Sequence, residues 1–430
     1  MRAAPGAELA RKCVTMKIPR RFLGLMLGAA LVPVGVPAMA SAAPSSNGTS
    51  GPAPTSLSCT GDPSSVLPLN LTVDGQDSPG LYVLPASAPK GLVVFFHGYT
   101  KTDQAWEKQM IQVATQDGAI AVAMNYRGTI ETTVEDGVQN SIGMPLSAGA
   151  EDGVAAAKAF DAACPGLPKI VAYGNSQGGG IAGLAVAKDQ KRADGKPLFD
   201  RLITTAGFSN LIEGWAELNV ASATGGDFYV QGLKDLQAET GGTPLTAPDA
   251  YVSRSSALQA DAIAKSGVTS VTLLHGLADG TVPVDQSVEM ALALTAAGVP
   301  VDLKLAGGNP TWAGASGDTL DGFALSLLGF TNWNSPLVGH PHDEDPTHAL
   351  TIAGLKELAG IFAGQPAPTC LKVDFIDPAV TLADAAPVCS LVNQVKALID
   401  PTPVVTLVTK TVAPVVNLLT GGLLGGLLHH

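Results

Sequence analysis

Between residues 65 and 365, short apolar runs rich in β-branched residues alternate with longer stretches of helical periodicity. An uninterrupted apolar run bounded by polar residues reads as a strand buried on both faces, whereas apolar residues three and four apart read as an amphipathic helix. On this basis Leu92–Phe96, Ile120–Asn125, Ile170–Tyr173, Leu202–Ala206, Val271–Leu274 and Val301–Leu305 are predicted strands. Asp103–Asp117, Ala148–Ala163, Gly178–Lys188, Ser287–Ala297 and Ala349–Ala363 are predicted helices. The alternation implies right-handed βαβ crossovers and an α/β fold with a mostly parallel central sheet flanked by helices. Ligands of such sheets sit beyond the carboxyl ends of the strands, so chemistry is expected directly after strands.

Two stretches break the rhythm. Residues 208–266 separate one strand from the next, and residues 308–339, which hold two of the four tryptophans, precede the last helix. Excursions of this length within a compact domain are usually lids or binding loops, and both are expected over the catalytic edge of the sheet.

The two ends differ from the middle. Lys17, Arg20 and Arg21 precede an apolar run from Phe22 to Ala40 that ends in Ala38-Met39-Ala40, the pattern of a cleaved signal peptide over residues 1–40. A Pro/Ser/Gly-rich linker is expected over 41–64, and a C-terminal appendage over 366–430. Within that appendage, residues 403–428 are apolar apart from threonines, Asn417 and Lys410, but Pro414 and four glycines disfavour a spanning helix. This tail is a candidate for attachment to an envelope or membrane surface. The expected location is secreted or attached to the cell envelope.

Charge and cysteine content narrow the class. With 25 basic and 37 acidic residues the chain carries −12, and nothing in it would neutralise phosphates, so nucleic acid is not an expected partner. Loss of residues 1–40 would remove six basic residues and one acid, leaving −17. Cys59, Cys164, Cys370 and Cys389 would remain, an even count that fits two disulfides in an exported protein. Of the three possible pairings, Cys59–Cys164 as a long-range bond with Cys370–Cys389 as a local one is favoured. No Cys-x-x-Cys argues for a metal, and no cofactor is expected.

Gly174-Asn175-Ser176-Gln177-Gly178 follows the strand at Ile170 and opens a Gly/Ala-rich helix. A serine at such a strand-to-helix turn is held in a strained conformation with its hydroxyl above the sheet, and the flanking glycines make room for it. Ser176 is therefore the candidate nucleophile. It needs a base. Of seven histidines, His97 and His275 each precede a glycine at a strand end and read as turn supports, and His429 and His430 are terminal, which leaves three just before the last helix. His340, after Gly339, is the first choice, His348 the second and His342 the third. Asp279, after a late strand, is the candidate acid that orients the imidazole, whereas Asp285 reads as the charge at a helix start. An oxyanion hole needs two backbone N–H groups, assigned to Gln177 and to Tyr99 in the loop after Leu92–Phe96.

His97-Gly98, Gly174–Gly178, Asp279-Gly280-Thr281-Val282-Pro283 and Gly339-His340 occur in an order that resembles the α/β-hydrolase superfamily, over roughly residues 65–365. Asn125-Tyr126-Arg127-Gly128 is similar to a turn of prolyl-oligopeptidase-like hydrolases, and Ser176-Gln177-Gly178-Gly179 to secreted cutinases and lipases. The resemblance implies a serine hydrolase with lid-like insertions. A small-molecule or polymeric ester is the expected substrate. An exopeptidase or amidase on the same triad, and a non-catalytic envelope binding protein, are the alternatives.

Overall fold

In the computed structural model, which describes residues 57–306 and 349–376 apart from 136–137, 225–226, 277–278 and 280, each predicted apolar run becomes a strand. A hairpin of β1 (Leu67–Val73) and β2 (Gln76–Val83) precedes β3 (Leu92–Phe96) and β4 (Ile120–Met124). β5 (Ile130–Glu135) and β6 (Val138–Ile142) form a separate hairpin. The sheet continues through β7 (Ile170–Asn175), β8 (Arg201–Thr205), β9 (Ser270–Gly276), β10 (Val301–Ala306) and β11 (Lys372–Phe375). Its order is β1-β2-β4-β3-β7-β8-β9-β10-β11. The β1–β2 and β2–β4 pairs are antiparallel and the others parallel.

Successive side chains of a strand point to opposite faces, so a strand apolar throughout feeds two cores. Val93 and Phe95 pack in one cluster with Trp106 and Tyr173, while Leu92, Val94 and Phe96 pack in the other. On the second face lie α2 (Leu146–Ala163), α3 (Gln177–Ala187) and, further along, α8 (Asp285–Ala296). On the first face lie α1 (Glu107–Gln112) and α9 (Ala349–Phe362). The segment predicted as one helix over Asp103–Asp117 is a 3-10 turn, then α1, then a π-turn ended by Gly118 in the left-handed conformation. Trp106 at the first junction stacks on Phe95 with ring centroids 4.6 Å apart.

The interruption at residues 208–266 is mostly helical: α4 (Leu211–Thr224), α5 (Asp227–Thr240), α6 (Pro248–Arg254) and α7 (Ala260–Ser266). Residues 308–339 lie outside the described residues. β11 pairs with β10, so the sheet runs past residue 365, the expected start of the appendage. This strand has four residues, two of them the paired Lys372 and Asp374, and so lacks the apolar run that marks a buried strand.

Cys59 and Cys164 form a disulfide with Cα atoms 5.6 Å apart, tying the first described residues to the end of α2. Across 105 residues, the chain-entropy account gives it about 4.7 kcal/mol of stabilisation. Cys370 is also disulfide-bonded, and Cys389, its expected partner, lies outside the described residues. Phe95 is wholly buried, so Phe95→Ala is expected to cost about 3–5 kcal/mol, read as a lower midpoint of urea unfolding.

Candidate active site

β3 pairs with β4 on one side and β7 on the other, so the strand order reverses at β3. Connections leaving the two strands diverge at such a point and open a crevice beyond their carboxyl ends. Phe96 pairs with Gly174, so His97-Gly98-Tyr99 and Ser176 emerge from adjacent strands.

Ser176 stands between β7 and α3 with φ 53° and ψ −123°. For a non-glycine residue this costs on the order of 1–3 kcal/mol and persists only if its surroundings impose it. Ser176 N–H donates to the Thr205 carbonyl at 2.9 Å, and its own carbonyl accepts from Gly179 and Phe208 N–H, each at 2.9 Å. The neighbouring Asn175 amide donates to Thr205 Oγ1 at 3.1 Å. The two glycines of the pentapeptide answer close backbone approaches. A Cβ at Gly174 would fall 2.0 Å from the Gly178 carbonyl oxygen, and one at Gly178 2.1 Å from that of Phe96.

The loop after β3 is held from several sides. Tyr126, in the turn after β4, stacks on His97 with centroids 3.9 Å apart and donates its hydroxyl to the His97 carbonyl at 3.0 Å. Burial drops the His97 pKa to about 4, so this imidazole is neutral at ordinary pH. Thr100 has φ 67°, and its carbonyl accepts from Ser141 N–H at 2.9 Å. Tyr99 donates its hydroxyl to Asp235 Oδ2 at 2.7 Å, and the same oxygen accepts from Gly143 N–H at 2.9 Å. Burial first, then Asp235, holds the Tyr99 hydroxyl protonated far above its ordinary range. Arg127 binds Asp152 through both its backbone N–H and Nε, and Glu151 through its guanidinium, so it joins the Tyr126 turn to α2.

Asp279 follows β9. Its Oδ1 accepts the N–H groups of Thr281 at 2.8 Å and Val282 at 3.0 Å, which fixes the carboxylate on its turn. His275 is fully buried: Nδ1 contacts Ser287 Oγ at 2.6 Å, and Nε2 donates to the Val282 carbonyl at 2.8 Å and lies 3.5 Å from Asp279 Oδ2. With both nitrogens engaged, this histidine supports the turn. His340, His342 and His348 lie outside the described residues, so the candidate base is not placed beside Ser176 and Asp279.

One cleft, open to solvent, joins these parts. Tyr99, Ser176 and Gln177 line it, as do Thr281 and Val282 of the Asp279 turn. The far wall comes from α4 and α5, including Glu217, Leu218, Phe228 and Tyr229. The 208–266 insertion therefore covers the carboxyl edge of the sheet beside Ser176.

Glu217 carries the signal that sequence reasoning missed. Oxygens of Glu213, Glu217 and Asp285 lie within 4.8 Å of one another, a grouping able to take a cation. Burial, then the charges of Asp285 and Glu213, holds the Glu217 carboxyl well above the usual range. Burial, then a hydrogen bond with Glu289, does the same to Glu213. Asp285 opens α8 as its sequence position implies, but it is also raised by burial. Acids four apart at 213 and 217 read as one helix face, and only the packing of α8 shows what that face meets.

Residues 105–309 match the Prolyl oligopeptidase family. Together with the sheet order, this match fits an α/β-hydrolase superfamily member of the prolyl-oligopeptidase-like branch. No curated protein matches the chain. Among solved structures, a puromycin-hydrolyzing peptidase of Mycobacterium tuberculosis is 23% identical, with 57% of this chain and 36% of that one covered and a TM-score of 0.42. An acylaminoacyl peptidase of Pyrococcus horikoshii is 19% identical, covering 56% and 36% with a TM-score of 0.42. An esterase of Pyrobaculum calidifontis is 16% identical, covering 56% and 75% with a TM-score of 0.40. The chain thus spans about a third of the length of the two peptidases.

Two outcomes are expected. Tyr99→Phe removes a hydrogen bond to a charged acceptor and should cost about 1.5–3 kcal/mol, with faster amide exchange in α5. Glu213 has a folded pKa raised above its ordinary 4.5, so its contribution to stability is complete below about that pH and is lost as pH rises through the raised value. Glu213→Gln should accordingly raise the Tm more at about pH 9 than at about pH 5.

Proposed function

We propose that this chain is an exported serine hydrolase that cleaves carboxylic esters. The observation that carries the reading is Ser176, strained at the carboxyl end of β7 and opening on a largely apolar cleft that Tyr99 and Gln177 also line. In the proposed mechanism Ser176 Oγ attacks the ester carbonyl carbon while His340 takes its proton. Asp279 accepts the other imidazole N–H and stabilises the imidazolium. The Tyr99 and Gln177 N–H groups receive the developing oxyanion, and one such donor is typically worth about 3 kcal/mol in the transition state. The tetrahedral intermediate collapses, the carbon–oxygen bond to the alcohol breaks, and His340 returns the proton to the leaving alkoxide. Water, deprotonated by the same histidine, then releases the acid from Ser176. Attachment of the protein to an envelope surface through residues 403–428 completes the proposal.

A second reading, an exopeptidase or amidase on the same triad, is favoured by the prolyl oligopeptidase match and by the carboxylate of Glu217 in the cleft. Steady-state turnover of p-nitrophenyl butyrate against an aminoacyl p-nitroanilide separates the two readings. The first expects the larger kcat/KM for the ester, and a larger value for the anilide promotes the second. Ser176→Ala and His340→Ala should each lower kcat by about 10⁴-fold or more. Full activity in His340→Ala with loss in His348→Ala or His342→Ala would move the base to that residue.

A further inference from the structure

Two glycines line the cleft beside Ser176, one on each of α4 and α5, and they answer different demands. A Cβ at Gly214 would fall 2.1 Å from the Phe208 ring, so this glycine lets α4 close on Phe208. At Gly232 a Cβ would meet the Leu218 side chain at 3.6 Å and the Tyr99 ring at 3.8 Å, both ordinary contact distances. Gly232 lies inside α5 on its buried face, and its φ is not in the left-handed region. A glycine in a helix interior weakens the helix relative to alanine, and neither close packing nor backbone conformation requires one here. What the missing side chain leaves is space, and that space opens on the cleft.

The walls around this notch are apolar. Tyr99, Met144, Leu218 and Phe228 contribute to them, and no Lys, Arg or His is among the described residues that line the cleft. Burial holds the Glu217 carboxyl toward its neutral form. A charged group seated here would lose its hydration without gaining a partner, whereas an alkyl chain gains by leaving water. A carbon at the Gly232 Cβ position touches both Leu218 and Tyr99, which suits a single methylene chain. The notch also lies on the side an acyl group would take. Tyr229 reaches Thr281 of the Asp279 turn, and Gly232, one helical turn on, faces Tyr99. In the proposed mechanism the leaving alcohol takes its proton from the imidazole held by Asp279, so the acyl group points away from that turn.

We propose that Gly232 is the specificity-determining residue of this cleft, and that the notch it leaves between Leu218 and Tyr99 seats the unbranched alkyl chain of a substrate acyl group. The inference rests on the hydrolase reading for the direction of the acyl group, but seating of an alkyl chain needs no turnover. Esters of straight-chain fatty acids, rather than acetates, form the substrate class.

Gly232→Ala and Gly232→Leu, made in the full-length protein, fill the notch by a methyl and by an isobutyl group. Gly232→Ala should raise the Tm by about 1–3 °C, because the helix gains an alanine. The same variant should lower the ratio of kcat/KM for p-nitrophenyl octanoate over p-nitrophenyl acetate by about 4-fold, the worth of one buried methylene. Gly232→Leu should lower it by at least about 10-fold, and the alanine variant carries the test should leucine prevent folding. A lower Tm in Gly232→Ala would mean that the fold itself requires the glycine, and would overturn the proposal. An unchanged ratio in both variants, with both esters turned over, would overturn it while leaving the hydrolase reading in place. An equal loss on octyl acetate would put the chain on the alcohol side and overturn the acyl assignment. Calorimetry with 1-octanol reads the notch without turnover, and binding should weaken at least about 10-fold from wild type to Gly232→Leu. Equal affinity would overturn the proposal, whereas the expected loss in a protein that turns over no ester would support the notch and count against the serine mechanism alone.

Discussion

The start of α3 against the end of β3 is the constraint on which the site depends. Gly178 brings the helix backbone to where a Cβ would collide with the Phe96 and His97 carbonyls, and this approach lets Ser176 stand at φ 53°. The strained serine is fixed by hydrogen bonds from three directions, to β8 at Thr205 and from Gly179 and Phe208. Because β3 and β7 are neighbours, the same contact sets the loop bearing Tyr99 beside Ser176. A sheet buried on both faces supplies the rigidity, since Phe95 and Phe96 anchor adjacent positions in opposite cores.

The insertion over this edge shapes the cleft as well as covering it. Asp235 on α5 accepts from Tyr99 and Gly143, so the insertion is bonded to the loop that carries Tyr99, the proposed oxyanion donor. α4 brings Glu217 to the cleft while α8 brings Asp285 behind it, and burial disfavours ionising the whole group. In a chain with only 14% charged residues, this concentration of acids, with no Lys or Arg paired to it among the described residues, stands out against its surroundings.

Much of this was legible from residue order, for physical reasons that differ by element. Leu92–Phe96 is apolar throughout because both its faces are buried, and it falls in the structure where the pattern puts it. Ser176 was legible because the small residues around it are demanded by backbone contacts a few residues away. The β1–β2 hairpin was not, since its residues alternate in burial at the sheet edge and its Pro79 breaks any strand-like run. The β5–β6 hairpin stands off the sheet, with Ile130 and Val134 exposed, so no buried apolar run marks it. Glu217, Tyr126 and Asp235 take their meaning from partners far away in sequence, and no local pattern distinguishes them from ordinary helix or turn residues. Asp279 is seated on its turn as a candidate orienting acid, while His340 lies outside the described residues and keeps only its place in sequence order.

The most direct measurement is the site of covalent labelling by a fluorophosphonate probe, read by intact mass and then by peptide mapping of the full-length protein. The account predicts one adduct per chain, carried by the peptide containing Ser176 and absent from Ser176→Ala. A folded protein that takes no adduct, or takes it on another residue, would contradict the account.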